Sequence, residues 1–285
     1  LVRFVRKLLP RRWRPDHVEI PVVRLHGTIM TGGGPFRQNL SLATAASVLE
    51  KAFGDKDSPA VAISVNSPGG SPVQSRLIFR RIRDLAAEKN KKVYMFVEDV
   101  AASGGYMIAI AGDEIIADPS SIVGSIGVVS ASFGFTDLIK KIGVERRVYT
   151  AGKNKATLDP FRPENKEDVE HLKSLQLEIH ETFINLVKER RGEKLTDNPD
   201  LFTGQFWTGL RGLELGLVDG LGDMRSYLRG QYGPKTRLRV IAQPRGLFGR
   251  KLPSAETRMG ELGANIAGGL ISAAEERALW SRFGL

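Results

Sequence analysis

A chain of 285 residues with 41% apolar and 26% charged side chains is long enough for one large α/β domain or two small ones. It has no run near the ~20 apolar residues that a bilayer span requires. The absence of cysteine excludes a thiolate nucleophile, a thiolate metal site and any disulfide, and the four histidines (His17, His26, His171, His180) form neither a close cluster nor an H-E-x-x-H motif.

The net charge of +10 does not come with the aromatic interleaving of a nucleic-acid platform, so no nucleic-acid partner is expected. Much of the charge is local. Arg3, Arg6, Lys7, Arg11, Arg12 and Arg14 alternate with Leu1, Val2, Phe4, Val5, Leu8 and Leu9, with no acid among them. A basic amphipathic tail over residues 1–17 suits contact with an anionic membrane surface through 1–14. A solvated terminus and an organellar targeting segment are the other readings of the same residues.

Beyond the tail, strand-like and helix-like segments alternate. Residues 18–26 read as a strand, near an edge because of Pro21. Residues 40–53 read as a helix and 60–65 as a strand. Ser71-Pro72 then opens a helix that runs to about residue 88, serine at the N-cap and proline at N1 being a start signal. The next elements are a strand over 93–97, a helix over 103–111 and a strand over 114–117. Residues 121–130 are β-rich and glycine-punctuated, and 146–150 read as a further strand. A long helix over 163–191 carries Val169, Leu172, Leu175, Ile179, Phe183 and Leu186 on one face. A shorter helix covers 209–217. Residues 230–234 read as a linker to a strand at 238–242 and an amphipathic helix from Ser254. The chain thus divides into a tail at 1–17, a main domain at 18–230 and a C-terminal segment at 231–285 that serves assembly. Repeated β-then-α order predicts an α/β fold with a largely parallel core sheet and helices outside.

Three strand ends carry candidate chemistry. In Asn66-Ser67-Pro68-Gly69-Gly70-Ser71, a strand-to-helix turn with two glycines can turn main-chain N–H groups outward, and such donors stabilise a developing oxyanion; the plainer reading is that the glycines only make the turn. In Ala101-Ala102-Ser103-Gly104-Gly105-Tyr106, a small hydroxyl follows a buried strand and precedes a helix. Ser103 is then a nucleophile on a tight turn, or merely the N-cap of that helix. Ala101 stands where the G-x-S-x-G elbow has its first glycine, so the motif is not that one. The third stretch, 149–160, holds Lys153 and Lys155 among small residues. A lysine is a general base only when burial keeps it neutral; in a solvated loop it is not. His26, His171 and His180 are weaker candidates for the base, and Asp99 has no histidine nearby in sequence to orient. The outline is that of a Ser-Lys hydrolase, with no metal or cofactor implied.

N-S-P-G-G (66–70), A-A-S-G-G-Y (101–106), G-S-I-G-V (124–128) and L-E-L-G-L-V-D (213–219), in that order and spacing, closely resemble the signal peptide peptidase A family of serine peptidases, family S49. The resemblance covers about residues 18–225 and implies a ClpP/crotonase-like α/β spiral of repeated β-β-α units. It implies Ser103 as nucleophile, Lys155 as general base with Lys153 as fallback, and the Gly70 and Gly104 amides as oxyanion donors. It implies Ser125 as the residue that orients the lysine. Members commonly begin with a transmembrane anchor, and this chain begins with a basic tail. It looks like the short, single-module members that assemble into a ring or dome, a tetramer or octamer, in which serine and lysine come from adjacent protomers. The implied activity is hydrolysis of cleaved signal peptides or other unfolded, membrane-derived peptides through an acyl-enzyme. The alternatives are a non-catalytic membrane-associated peptide scaffold and a crotonase-type enzyme acting on acyl-CoA.

Overall fold

Among the described residues, the alternation of β-branched runs with amphipathic stretches folds into one eight-stranded sheet with helices packed on it. The computed structural model describes residues 17–32, 39–242 and 277–285. The strands are β1 (Glu19–His26), β2 (Ala60–Ser67), β3 (Lys92–Ala102), β4 (Glu114–Ala117), β5 (Ile122–Gly124), β6 (Phe206–Thr208), β7 (Gly220–Leu221) and β8 (Arg237–Val240). They run in the order β6-β5-β3-β2-β1-β8, with β4 beside β3 and β7 beside β4. Every pairing is parallel except β5 with β6. This is the expected ClpP/crotonase-like α/β architecture.

The helices are α1 (Leu42–Phe53), α2 (Pro72–Lys89), α3 (Gly104–Ala109), α4 (Thr136–Lys141), α5 (Lys166–Arg191), α6 (Gly209–Glu214) and α7 (Met224–Tyr232). Period-two alternation sorts the sheet's side chains. Val23, Leu25, Val61, Ile63, Val93 and Met95 join the main core with α1, α2 and α3. Ile20, Val22, Ala62, Tyr94 and Phe96 face the other way and are covered by Leu228, Tyr227 and Tyr232. The rings of Tyr227 and Tyr232 meet Tyr94 edge-on at 6.0 and 6.1 Å.

The feature that builds the site is a break in β3. Val65 of β2 pairs with Val97, but Ser67 pairs with Ala101, so β3 spends two extra residues there. Below the bulge β3 pairs with β4, and above it with β5. A bulge bends the strand and re-aims the residues after it, here the turn that carries Ser103. Asn66 pins the bulge: its amide donates to Asp99 at 2.7 Å and its carbonyl oxygen accepts from the Val100 amide at 3.2 Å. Asp99 is thereby engaged in structure.

Several expectations need correction. β1 is not an edge strand; it lies between β2 and β8. Pro21 is tolerated because the β1–β2 ladder begins one residue later, at Val22. Residues 146–150 form no strand. Their alternation fits the pattern, but a strand needs a partner ladder, and Tyr149 is 89% exposed. The β-rich stretch 121–130 yields only the three residues of β5 before Ser125 turns with φ 53°. The boundary drawn at 230 falls inside α7, and the strand after it is β8, which joins the same sheet. The basic tail over 1–16 and most of the helix expected from Ser254 lie outside the described residues.

Candidate active site

β3 ends at Ala102 and α3 begins at Gly104, so Ser103 alone forms the turn. Its backbone has φ 52° and ψ −121°. For a residue with a Cβ that conformation costs of order 1–3 kcal/mol and persists only where the surroundings impose it. Two main-chain bonds do so: the Ser103 amide donates to the Gly124 carbonyl on β5 at 2.9 Å, and its carbonyl accepts from the Met107 amide at 3.0 Å. The hydroxyl does not cap α3, so the ordinary structural use of a serine at a helix start is not its use. Ser103 instead lines a cavity of about 230 Å³ with Gly70, Gly104, Met107, Val129 and Phe183.

The two candidate oxyanion donors line the same cavity as this serine. Ile29 forms a parallel bridge with Gly70: its amide donates to the Gly69 carbonyl at 2.8 Å, and its carbonyl accepts from the Ser71 amide at 2.7 Å. In such a bridge the central residue's own N–H and C=O point away from the partner, so the Gly70 amide is left for the cavity side. A Cβ on Gly70 would lie 2.1 Å from the Ile29 carbonyl oxygen, at φ 138°, which explains why glycine stands there. Gly104 is the first residue of α3, where helical amides have no intrahelical acceptor. It also packs tightly, since a Cβ would meet Ser75 Oγ at 2.3 Å. Gly70, Ser103 and Gly104 are therefore brought together.

Ser125 follows the Gly124 carbonyl that holds the Ser103 amide. It is buried, with φ 53°, and its own amide donates to the Gln205 carbonyl at 2.7 Å. His180, which the helical pattern places among charged neighbours facing solvent, is half-buried, and its Nε2 meets the Ile126 carbonyl oxygen at 3.0 Å. It ties α5 to the segment that walls the cavity. A histidine one turn before buried Phe183 was the signal available for this contact. His26 is structural: its Nε2 lies 2.7 Å from Ser64 Oγ, which donates to Glu98. Burial lowers the His26 imidazole below its ordinary range, against the pull of Glu98.

The late motif at 213–219 proves to brace the serine turn from behind. Tyr106, three residues after Ser103, donates its buried hydroxyl to the Leu217 carbonyl at 2.8 Å. Burial pushes that phenol well above its ordinary range and keeps it a donor. The Gly216 carbonyl accepts from Arg191 at 2.8 and 2.7 Å, and Asp219 accepts from Arg191 at 2.8 Å and from Lys194 at 2.7 Å. Burial raises the Asp219 carboxyl, but its bonds to Arg191 and Lys194 outweigh this and hold it below the usual carboxylate range.

The lysines are elsewhere. Lys153 and Lys155 are both exposed, and no lysine is among the described residues lining the Ser103 cavity. Lys155 closes a turn, its amide donating to the Gly152 carbonyl at 3.3 Å. Around them, residues 129–160 form an arm that is nearly all exposed. Phe135 and Phe161 meet at 5.6 Å, with the Arg146 guanidinium over Phe161 and an Arg146–Asp159 ion pair. Phe133, Ile142 and Tyr149 stay uncovered at 78%, 64% and 89% exposure. The early part of α5 continues this surface through Leu175, Leu177 and Ile179, so the predicted apolar face packs only from Phe183 onward.

A serine held at a strained turn between a parallel strand and a helix, in one cavity with Gly70 and Gly104, is an arrangement with which main-chain amides can stabilise a developing oxyanion. Residues 86–229 match the model of peptidase family S49. A putative protease of Synechocystis is 32% identical over 222 residues, 76% of this chain and 79% of that one. The chloroplastic serine protease SPPA of Arabidopsis thaliana is 33% identical over 213 residues, 72% of this chain and 31% of that one. The chain belongs to peptidase family S49. It is also 68% identical over 287 residues to a Brucella abortus protein named Na(+)/H(+) antiporter NhaA, 99% of this chain but 39% of that one. Among the described residues no helix is long and apolar enough to cross a membrane.

Proposed function

We propose that this chain is a serine endopeptidase that works through a Ser-Lys dyad completed between protomers. Neutral Lys155, with Lys153 as fallback, takes the Ser103 hydroxyl proton as Oγ attacks the scissile carbonyl. The oxyanion is held by the Gly70 and Gly104 amides, one such donor being worth roughly 3 kcal/mol. The lysine then protonates the leaving amine, the acyl-enzyme forms, and water releases the acid. Ser125 orients the lysine. An extended peptide pairs with the main chain near 66–70 or 125–130. Cleaved signal peptides and other unfolded, membrane-derived peptides are the substrates, and residues 1–14 give contact with a membrane surface.

The observation that carries this reading is Ser103 itself: strained, not used as a cap, and facing a cavity shared with Gly70 and Gly104. The exposed apolar arm supports an assembly, because patches of that kind mark interaction sites, and a neighbour's cover would supply the burial that a lysine base needs. A tetramer or octamer meets both needs. A fluorophosphonate probe tests the assignment. It should label wild-type protein at Ser103 and leave Ser103→Ala unlabelled. Absence of labelling together with binding of coenzyme A would favour the crotonase-type alternative. Peptide binding with neither labelling nor turnover would favour the scaffold.

A further inference from the structure

Segment 277–285 packs beside the end of β3 that leads into Ser103. The chain leaves the described fold just after β8, at one edge, and this segment packs near β5 and β6, at the other. Five strand spacings separate those edges, roughly 24 Å. The anchor is Phe283, 8% exposed, which packs with Val100 and Ala102 of β3 and with Ile122. Its ring meets that of Phe206 edge-on at 5.0 Å.

Anchored in this way, the segment brings Leu279 and Arg282 to the cavity that Ser103 lines. The other described lining residues are glycines, prolines, apolar side chains and Ser103, so Arg282 is the one charged group among them. Its guanidinium lies 5.9 Å over the Phe283 ring, with no carboxylate at ion-pair distance among the described residues. A cavity of about 150 Å³ already admits a benzene ring, so about 230 Å³ seats a leucine, methionine or phenylalanine side chain. A guanidinium at the rim of such a pocket favours a carboxylate, which it can bind with two hydrogen bonds in partly dry surroundings.

We infer that segment 277–285 is a wall of the substrate cleft, and that Arg282 selects peptides carrying a carboxylate beside the apolar side chain lodged next to Ser103. The inference rests on the peptidase reading. The carboxylate belongs either to an acidic side chain or to a peptide's own C-terminus, and the test separates the two.

Fluorogenic peptides with leucine or phenylalanine at the cleavage position are made in pairs. One set exchanges glutamate for glutamine at each nearby position, and the other exchanges a free C-terminal acid for the amide. Cleavage is measured for wild type, Arg282→Lys, Arg282→Gln and Arg282→Glu. Binding of the same peptides to Ser103→Ala, with and without Arg282→Glu, is measured by fluorescence anisotropy. The expected result is a preference of about tenfold for the carboxylate member of one pair, equivalent to about 1.4 kcal/mol. It should survive in Arg282→Lys, vanish in Arg282→Gln and invert in Arg282→Glu. An unchanged preference in Arg282→Gln overturns the inference, as does the lack of any carboxylate preference in both cleavage and binding. A preference in binding with no turnover by wild type sinks the peptidase reading and leaves this inference standing.

Discussion

Asp219 is the point where the fold's support for Ser103 can be broken without touching the site. The Arg191 side chain is 3% exposed, and Asp219 supplies its only counter-ion among the described residues. Asp219→Ala leaves that guanidinium buried with just the Gly216 carbonyl as acceptor. It also removes the acceptor of the Ile115 amide, now at 2.8 Å. Removing one partner of a buried pair costs about 3–5 kcal/mol. The Lys194 contact adds little, because Lys194 is 52% exposed. At roughly 2–4 °C per kcal/mol for a domain of this size, the melting midpoint should fall by on the order of 10 °C. Thermal melts followed by circular dichroism at one protein concentration measure it. Asp219→Asn, which keeps the shape and one acceptor but not the charge, should fall between wild type and Asp219→Ala. A midpoint for Asp219→Ala within about 2 °C of wild type would refute the claim that this pair braces the Ser103 turn.

The same carboxylate gives a pH dependence. Its folded value is depressed, so its stabilisation is present above the unfolded carboxylate value near ~3.9 and is lost as the pH falls through the lower folded value. Melting midpoints of wild type should therefore drop below about pH 4 more steeply than those of Asp219→Asn; parallel curves contradict the assignment. Gly70→Ala places a Cβ 2.1 Å from the Ile29 carbonyl oxygen, so the bridge must open and the donor amide must move. Peptide hydrolysis should fall by about 10²–10³-fold with Ser103 still present, and undiminished turnover would remove Gly70 from the oxyanion site.

Ser103 was legible because its surroundings are written locally. An apolar strand, two alanines, a serine and two glycines specify a turn that only small residues can make, and the chain does make it there. The Gly69-Gly70 turn was legible for the same reason. What could not be read is what depends on remote partners. Pro21 suggested an edge because β8, about 215 residues later, could not be foreseen as its neighbour. The 146–150 strand failed because alternation specifies a conformation but not a ladder. Helix α7 escaped because it is mostly polar, with Leu228 as its buried residue. The bulge in β3 is a tertiary event with no short-range mark, and the contact of His180 with Ile126 has only the nearby buried Phe183 to signal it. Lys155 is the sharpest case. Its motif picks out the residue, which is exposed within the chain, so the proposed dyad requires burial supplied by a neighbouring chain.

The most direct test of the account is complementation between two inactive variants. Ser103→Ala and Lys155→Ala are purified separately, dissociated, mixed in equal amounts and reassembled, and hydrolysis of an unfolded peptide is followed. A dyad shared between neighbours predicts recovery of about a quarter of wild-type activity, since random assembly pairs an intact serine with an intact lysine at that frequency. No recovery, with reassembled wild-type protein fully active, contradicts a dyad built between subunits.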